Sequence, residues 1–201
     1  MSEDPMREPT DSRDALDIAL MRRVKHGDTD AFRELIESHQ ARVIGTVAKM
    51  LGGGSDAEDV AQQVFLRVWN SAARYEPTAK FTTWLFTIAR NLVFNELRRR
   101  KRHPTTSLDI EDEEGRHREA PDTTTRAPDA SVLDAELQDA IQKAINELPE
   151  AQRMAVVLRR FEALSYEEIG KILELSVPAV KSVLFRARTE LRERLQKYLE
   201  A

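Results

Sequence analysis

The sequence has no cysteine among its 201 residues, and it contains only seven glycines and eight prolines. The absence of cysteine excludes disulfides, thiol catalysis and cysteine-based zinc sites. Aromatic residues make up only 6% of the chain, whereas alanine, leucine, glutamate and arginine are abundant. Because helix breakers are few and strong helix formers are many, this composition predicts an all-α protein.

Histidine and long apolar runs are scarce as well. The four histidines, His26, His39, His103 and His117, show no metal-ligand spacing. No nucleophile–base pair or carboxylate pair stands out either. We therefore expect no catalytic residue, no metal and no cofactor. No stretch approaches the roughly 18 apolar residues of a membrane span, and the first 17 residues contain no apolar signal-peptide core. We therefore expect a cytoplasmic protein without membrane insertion.

Charge is segregated along the chain. The formal net charge is −4, which taken alone argues mildly against nucleic-acid binding. Arg98–Arg102 is nevertheless an unbroken cationic run, and residues 109–114 are almost all acidic. Because a phosphate backbone interacts with charges within a Debye length of about 8–10 Å, the local cationic run matters more than the net charge.

Apolar periodicity and helix caps divide the chain into two helical domains. Residues 1–15 lack periodicity and are predicted to be disordered. Residues 104–130 hold three prolines, several threonines and many acids, which is typical of a flexible linker. The predicted domains are 16–103 and 131–201. Their helices are predicted near residues 16–25, 28–51, 55–73, 81–103, 131–148, 150–162, 165–173 and 176–198. Predicted caps are Asp28 before and Gly52 after the second helix, and a capping box of Ser55 and Glu58 before the third. The predicted core sides include Val60, Ala61, Val64, Phe65 and Val68 in the helix at 55–73, and Met154, Val157, Leu158 and Phe161 in the helix at 150–162.

The stretch from Ser165 to Arg188 is typical of a helix-turn-helix. Ser165 and Glu168 form a capping-box pattern, and Ser176 is a second N-cap with Pro178 in the first turn. Lys181, Ser182, Phe185, Arg186 and Thr189 fall on the polar side of the second helix. Such a cationic face suits the major groove of DNA, although a solvated helical hairpin remains the alternative.

Two further faces have open interpretations. In the helix at 55–73, Asp56, Asp59, Gln63, Leu66 and Asn70 lie opposite the apolar side, which suits either a protein interface or solvent. In the helix at 81–103, the predicted core side is Trp84, Leu85, Ile88, Ala89 and Leu92. Thr83, Phe86 and Phe94 lie on the other side with Arg90 and Asn91. That side suits unpaired bases, or its phenylalanines pack on neighbouring helices.

Four motifs in order resemble the bacterial RNA polymerase sigma factors of the extracytoplasmic-function (ECF) type, within the sigma-70 family. They are Asp56–Trp69 (DAEDVAQQVFLRVW), Phe81–Asn91 (FTTWLFTIARN), Leu148–Arg153 (LPEAQR), and Ser165–Gly170 (SYEEIG) with Val180–Ser182 and Arg186–Arg188. The resemblance covers residues 20–103, as a sigma-2 helical bundle, and 133–199, as a sigma-4 helix-turn-helix domain. It implies an alternative sigma factor that binds core RNA polymerase and directs initiation by reading −35 and −10 promoter elements and helping to melt DNA.

The resemblance also implies roles for particular residues. The residues implied to bind the β′ clamp of core polymerase are Asp56, Asp59, Gln62, Gln63, Leu66 and Asn70. Those implied to recognise and melt the −10 element are Lys80, Phe81, Trp84, Arg90, Asn91, Asn95, Arg98 and Arg99. Those implied to recognise the −35 element are Ser176, Pro178, Ala179, Lys181, Ser182, Phe185 and Arg186. Implied partners are the β′ clamp and β flap of core polymerase, promoter DNA and an anti-sigma factor, with nucleoid association when bound to polymerase.

The chain departs from the family pattern at two positions. Val183 stands where many relatives have arginine, which removes one expected phosphate contact. Glu174 stands where the turn usually carries glycine, so we expect an altered turn geometry. Two other classes remain as alternatives: a helix-turn-helix regulator whose N-terminal domain binds a ligand or another subunit, and an acidic interaction adaptor without DNA binding.

Overall fold

The structure, a computed structural model, describes residues 8–53, 56–102 and 128–199. These residues form helices and contain no β-strand. The helices are α1 (Glu8–Val24), α2 (Thr29–Leu51), α3 (Asp56–Ser71), α4 (Phe81–Arg102), α5 (Pro128–Asn146), α6 (Glu150–Arg160), α7 (Tyr166–Leu173), α8 (Val177–Arg194) and α9 (Gln196–Leu199). The predicted all-α class with two helical domains, α1–α4 and α5–α9, is confirmed.

Two segment boundaries differ from those expected. Helix α1 already begins at Glu8, inside the stretch predicted to be disordered, and α5 begins at Pro128, inside the predicted linker. Proline is well tolerated in the first turn of a helix, where its missing N–H would have no intrahelical partner. The remainder of that linker, and Ser55 of the expected capping box before α3, lie outside the described residues.

Capping groups fix the ends of α2. The Asp28 carboxylate accepts hydrogen bonds from the backbone N–H groups of Asp30 and Ala31, both at 3.0 Å. These bonds hold the pKa of Asp28 below its ordinary value, with the Ala31 N–H as the main cause. At the other end, Gly52 adopts a φ of 82°, which glycine reaches without steric cost. Both caps follow the sequence prediction.

The first domain is built around α2 and α3. Helix α3 buries its predicted apolar side, which consists of Val60, Ala61, Val64, Phe65 and Val68. Helix α1 is anchored by a buried pair that the sequence did not single out: His39 Nε2 lies 3.0 Å from both carboxylate oxygens of Asp17. Because both side chains are shielded from water, each depends on the other as a polar partner.

Helix α4 buries a different side from the one expected. Leu85 and Ala89 are buried as predicted, whereas Trp84, Ile88 and Leu92 are only half-buried. Thr83 and Phe86, predicted to face outward, are 4% and 1% exposed. The reason is tertiary, because α4 packs against α3 and α2 and also against α7 of the second domain.

The second domain packs α6, α7 and α8 around the expected apolar residues, with one exception. Met154, Val157 and Leu158 of α6 are buried. Phe161, predicted as core, is 46% exposed and instead lies under the ammonium of Lys49, whose Nζ is 4.6 Å from the ring centroid. Phe161 follows the last residue of α6, where the chain turns away from the helix axis. This turn carries the ring out of the apolar stripe.

Candidate functional site

The helix-turn-helix is held by two capped helix starts. Ser165 N–H donates to Glu168 Oε2 at 2.7 Å, and Glu168 N–H donates to Ser165 Oγ at 3.2 Å, which completes the predicted capping box. Ser176 Oγ accepts from the Ala179 N–H at 3.4 Å at the start of α8. The two caps set where α7 and α8 begin and hence the angle at which α8 is presented.

The turn between α7 and α8 depends on two backbone features. Glu174 adopts the left-handed conformation with φ 59° and ψ 42°, which accounts for the glycine usual in this turn. Leu175 N–H donates to Gly170 O at 2.8 Å, and a Cβ on Gly170 would lie 2.7 Å from Leu175 O. Gly170 is part of one of the sequence motifs, but this role was not predicted for it. The glycine five residues before Leu175 was the feature of the sequence that could have indicated it.

The outward face of α8 carries the predicted −35 residues. Ser176, Pro178, Lys181, Ser182, Phe185 and Arg186 are exposed, and Ala179 is half-buried. Phe185 is 70% exposed, which is unusual for so large an apolar side chain. Val183 is half-buried and packs against the core, so this position turns away from the outward face.

An aromatic residue on α7 extends the cationic face of α8. The Tyr166 ring has Arg159 Cζ 5.1 Å and Lys181 Nζ 5.9 Å from its centroid. A shallow cleft of about 460 Å³ runs beside it, lined in part by Phe185, Arg186 and Leu184. Sequence reasoning missed Tyr166 and Arg159, because their proximity to α8 arises only when α6 and α7 pack together. The result is a continuous surface of cations and aromatic rings.

The predicted polymerase-binding residues lie together on α3. Asp56, Asp59, Gln62, Gln63, Leu66 and Asn70 are all exposed. Leu66 is 61% exposed at the centre of this face. Asp56 is engaged at its edge, since its carboxylate accepts from Arg100 Nη2 at 2.8 Å.

Two grooves flank Leu66. On the α2 side, a groove of about 380 Å³ has an apolar lining that includes Phe32, Ile36, Ile44 and Phe65. On the α4 side, a groove of about 420 Å³ is lined by amides, apolar residues and one cation (Gln63, Arg67, Asn70, Ile88, Asn91, Leu92 and Asn95). Sequence reasoning found the α3 face but not the α2 contribution, because Ile44 lies outside the apolar stripe of α2.

The predicted −10 residues separate into three groups: exposed, packed in the core, and paired with other residues of the protein. Asn91, Asn95, Arg98 and Arg99 are exposed along the second half of α4. Phe81 is fully buried, with its ring centroid 5.2 Å from that of His39, and Trp84 is half-buried. The Phe81 ring is therefore part of the core in this structure and is not available to a base.

The other two predicted −10 residues are engaged within the protein. Lys80 Nζ lies 3.1 Å from Asp14 and 3.5 Å from Glu168. Partial burial opposes its charge, but these two carboxylates outweigh that effect and raise the pKa of Lys80. The Arg90 side chain is only 13% exposed and contacts Ile172 and Glu174 of the second domain.

Acidic side chains partly neutralise the cationic run on α4. Glu96 accepts from Arg99 at 2.7 Å and from Arg100 at 3.0 Å. The hydrogen bond from Arg99 is the main cause that lowers the pKa of Glu96. Lys101 pairs with Glu150 at 2.6 Å. Glu96 was missed as a partner, although its spacing of three and four residues to the arginines is visible in the sequence.

Among the described residues, neither a metal-binding cluster nor a candidate membrane span is present. Within residues 8–53, 56–102 and 128–199, no group of three or more histidine, aspartate or glutamate side chains is arranged to hold a metal ion. In the same part of the chain, no helix combines the length and the apolar character needed to cross a membrane.

Two sequence families match the chain. "Sigma-70 region 2" matches residues 35–103, and "Sigma-70, region 4" matches residues 138–191. The first match contains α3, α4 and most of α2, and the second contains the helix-turn-helix. Together they contain all the predicted site residues.

Curated relatives and a solved structure agree with these matches. RNA polymerase sigma-H factor of Pseudomonas aeruginosa is 34% identical over 187 residues, covering 91% of this chain and 95% of the relative. ECF RNA polymerase sigma factor SigW of Bacillus subtilis is 32% identical, covering 88% and 95%. The sigma factor RpoE, solved in complex with the anti-sigma factor NepR from Bartonella quintana, has a TM-score of 0.63 at 24% identity, covering 82% of this chain and 96% of that one.

Proposed function

Because this chain belongs to the ECF RNA polymerase sigma factors, which direct promoter-specific transcription initiation, we propose that its three exposed faces divide that task. The α3 face centred on Leu66 binds the β′ clamp of core polymerase. Helix α4 and the loop before it bind and melt the −10 element. Helix α8 reads the −35 element, and the second domain also contacts the β flap.

The exposed face of α8 carries this proposal. A 70% exposed phenylalanine between Lys181 and Arg186, on a helix with both neighbouring helix starts capped, is not packed into the core of the described residues. In the major groove, Phe185 can contact a thymine methyl, while lysine and arginine can donate to guanine O6 and N7. The half-buried Val183 takes no part in this contact. The N-terminus of α8 at Ser176 binds a phosphate.

The α3 face supports polymerase binding through its mixture of groups. A central exposed leucine surrounded by carboxylates and amides resembles the apolar centre and polar rim of protein interfaces. The apolar groove beside it, formed with α2, can receive side chains from a partner helix. Opening the duplex then requires groups that hold unpaired bases and phosphates, which the exposed Asn91, Asn95, Arg98 and Arg99 supply.

Residues 16–103 act as the sigma-2 domain and 131–201 as the sigma-4 domain, with the intervening segment directed towards the RNA exit path. The protein acts as a non-enzymatic specificity subunit in the cytoplasm and associates with the nucleoid through polymerase. An anti-sigma factor is a further partner, supported by the fold shared with the RpoE–NepR complex.

Run-off transcription with purified core polymerase tests the central proposal. Promoters come from transcript mapping after overexpression of this chain, and wild-type protein should make core initiate there without another specificity subunit. Arg186→Ala should lower −35-dependent initiation about 5–150-fold, since one bidentate base contact contributes about 1–3 kcal/mol of discrimination. Arg192→Ala, at an exposed position near the end of the same helix, is the matched control.

The outcome of the Arg186→Ala experiment distinguishes two contacts. Loss confined to templates with the native −35 sequence identifies a base contact. Equal loss on all −35 sequences identifies a phosphate contact instead. If wild-type protein fails to make core initiate at any mapped promoter, the proposed division of function is wrong.

A further inference from the structure

The loop at 75–80, which leads into α4, is held at both of its ends. Tyr75 at its start is 3% exposed, and its ring packs against that of Trp84 with 5.1 Å between the centroids. Lys80 at its end directly precedes α4, and its Nζ lies 3.1 Å from Asp14 Oδ2. Residues 76–78 between them are exposed. The middle of the loop is therefore open to solvent while its ends are fixed.

Helix α1 makes a polar contact with each end of the loop. Asp14 lies within α1, and Lys25 follows its last residue. The Asp14 carboxylate binds the Lys80 ammonium. Lys25 Nζ donates to the Tyr75 carbonyl oxygen at 3.4 Å. Lys80 also lies 3.5 Å from Glu168 of the second domain, but both contacts with α1 are formed inside the first domain. Helix α1 therefore spans the loop from one end to the other.

A buried polar pair fixes α1 between these two contacts. Asp17 follows Asp14 by three residues and lies on the same side of α1. Both of its carboxylate oxygens lie 3.0 Å from His39 Nε2, and neither side chain of the pair is more than 2% exposed. The His39 ring centroid lies 5.2 Å from that of Phe81, the first residue of α4. Because separating a buried polar pair leaves both groups without a partner, the pair holds α1 against the start of α4.

The aromatic rings at the two ends of the loop belong to the same contact. The ring centroids of Tyr75 and Phe81 are 6.3 Å apart. Burial raises the pKa of Tyr75, and the negative charge of Asp17 raises it further, which places that carboxylate near the Tyr75 side chain. Phe81 was implied to contact −10 DNA, whereas here its ring takes part in holding the loop. Its contribution to the −10 element is therefore indirect.

We propose that α1 is the scaffold of the loop at 75–80, and that Asp14 and Lys25 are positioning residues for the capture of an unpaired base of the −10 element. The matching family region begins only at residue 35 and does not contain α1. A loop that is already held in one conformation loses less conformational entropy when a base binds. Without the scaffold, only the fraction of molecules with the competent loop conformation binds the base. This inference rests on the proposed role of the loop in opening the −10 element.

The absence of cysteine permits a direct measurement of loop motion. A nitroxide label on Thr78→Cys, an exposed position in the middle of the loop, reports that motion by electron paramagnetic resonance of the free protein. The labelled but otherwise unaltered chain should show restricted motion. Asp14→Ala with Lys25→Ala keeps the net charge and should raise the ratio of mobile to restricted label about fivefold, since two partly exposed charge contacts together contribute about that factor.

Two matched variants separate this effect from the loss of charged groups as such. Asp30→Ala with Arg33→Ala also keeps the net charge, and it removes an ion pair of the first domain whose side chains are 75% and 68% exposed. This variant should leave the label spectrum unchanged. Asp14→Glu with Lys25→Arg retains both charges and should preserve the restricted motion.

Promoter opening by the reconstituted holoenzyme tests the positioning role. 2-Aminopurine in the −10 element of a mapped promoter reports unpairing in stopped flow, and varying the holoenzyme concentration separates the affinity of promoter binding from the maximal rate of opening. Asp14→Ala with Lys25→Ala should lower the maximal rate about fivefold and change the affinity less than twofold, because only base capture needs a prepared loop. Asp14→Glu with Lys25→Arg should retain the wild-type rate.

Each result supports or removes one part of the inference. A label spectrum that Asp14→Ala with Lys25→Ala leaves unchanged would overturn the scaffold. A more mobile loop with an unchanged opening rate would overturn the positioning role, and so would equal losses of affinity and rate. The label spectrum needs neither polymerase nor promoter, so its result stands apart from the transcription test of the proposed function.

Discussion

Replacing Gly170 with alanine should destabilise the second domain, although glycine is normally a poor residue in a helix. The added Cβ would lie 2.7 Å from the Leu175 carbonyl oxygen, well inside van der Waals contact. That oxygen belongs to the backbone of the turn and cannot move away by a side-chain rotation. The turn must open by several tenths of an ångström, and the Leu175 N–H to Gly170 O bond of 2.8 Å is strained with it.

The expected magnitude is the difference of two opposing effects. Forcing an extra carbon into a close-packed site costs about 1–3 kcal/mol. Alanine gains about 1 kcal/mol over glycine in helix propensity. Because the obstruction is backbone, we expect the upper part of the first range and a net loss of about 1–2 kcal/mol. For a chain of this size, this loss lowers the melting temperature by about 2–8 °C.

Gly45 provides the matched control for the same substitution. It lies within α2, has no heavy atom within 4 Å of an added Cβ and has no positive φ. Gly45→Ala should therefore stabilise by about 0.4–1 kcal/mol and raise the melting temperature by about 1–4 °C. Melting curves followed by circular dichroism measure both variants. A Gly170→Ala melting temperature equal to or above wild type would refute the close-contact reasoning for the turn.

Three other substitutions test the surfaces and the cap. Leu66→Ala should weaken core-polymerase binding about 5–20-fold, since roughly 61% of a leucine burial of about 1.5–3 kcal/mol is available there. Leu16→Ala, at a position 50% exposed on α1, should leave the affinity unchanged. Equal affinities of the Leu66→Ala and wild-type proteins in surface plasmon resonance would exclude α3 as the clamp site. Partial burial alone would raise the pKa of Glu168, but the Ser165 N–H and Lys80 together lower it from its ordinary 4.5. The ionised Glu168 therefore stabilises the folded protein fully above that pH, and this contribution is lost as the pH falls below it. Glu168→Gln should therefore flatten the loss of stability below pH 4.5 in urea titrations, and an unchanged slope would remove Glu168 as a cause.

The sequence determined the helices and most residues of the exposed faces of α3 and α8. Caps such as Asp28 and Ser165 act through hydrogen bonds over two or three residues, so their partners are already visible in the sequence. The α3 and α8 faces follow from helical periodicity, because a helix fixes the direction of each side chain relative to its neighbours. The capping box, the apolar side of α3 and the exposed positions of Lys181, Phe185 and Arg186 were predicted on this basis.

Only the tertiary structure decided how the two domains share their surfaces. Helical periodicity separates the sides of α4 but does not tell which neighbouring helices pack against each side. Phe86 was therefore expected to face outward, whereas the structure buries it. Glu162 and Glu174 became partners of Arg42 and Arg90, respectively 120 and 84 residues away. Contacts at such separations depend on the packing of whole helices, where burial and charge pairing are summed over both domains. The faces of α3 and α8 stayed as predicted because nothing in the described chain packs over them.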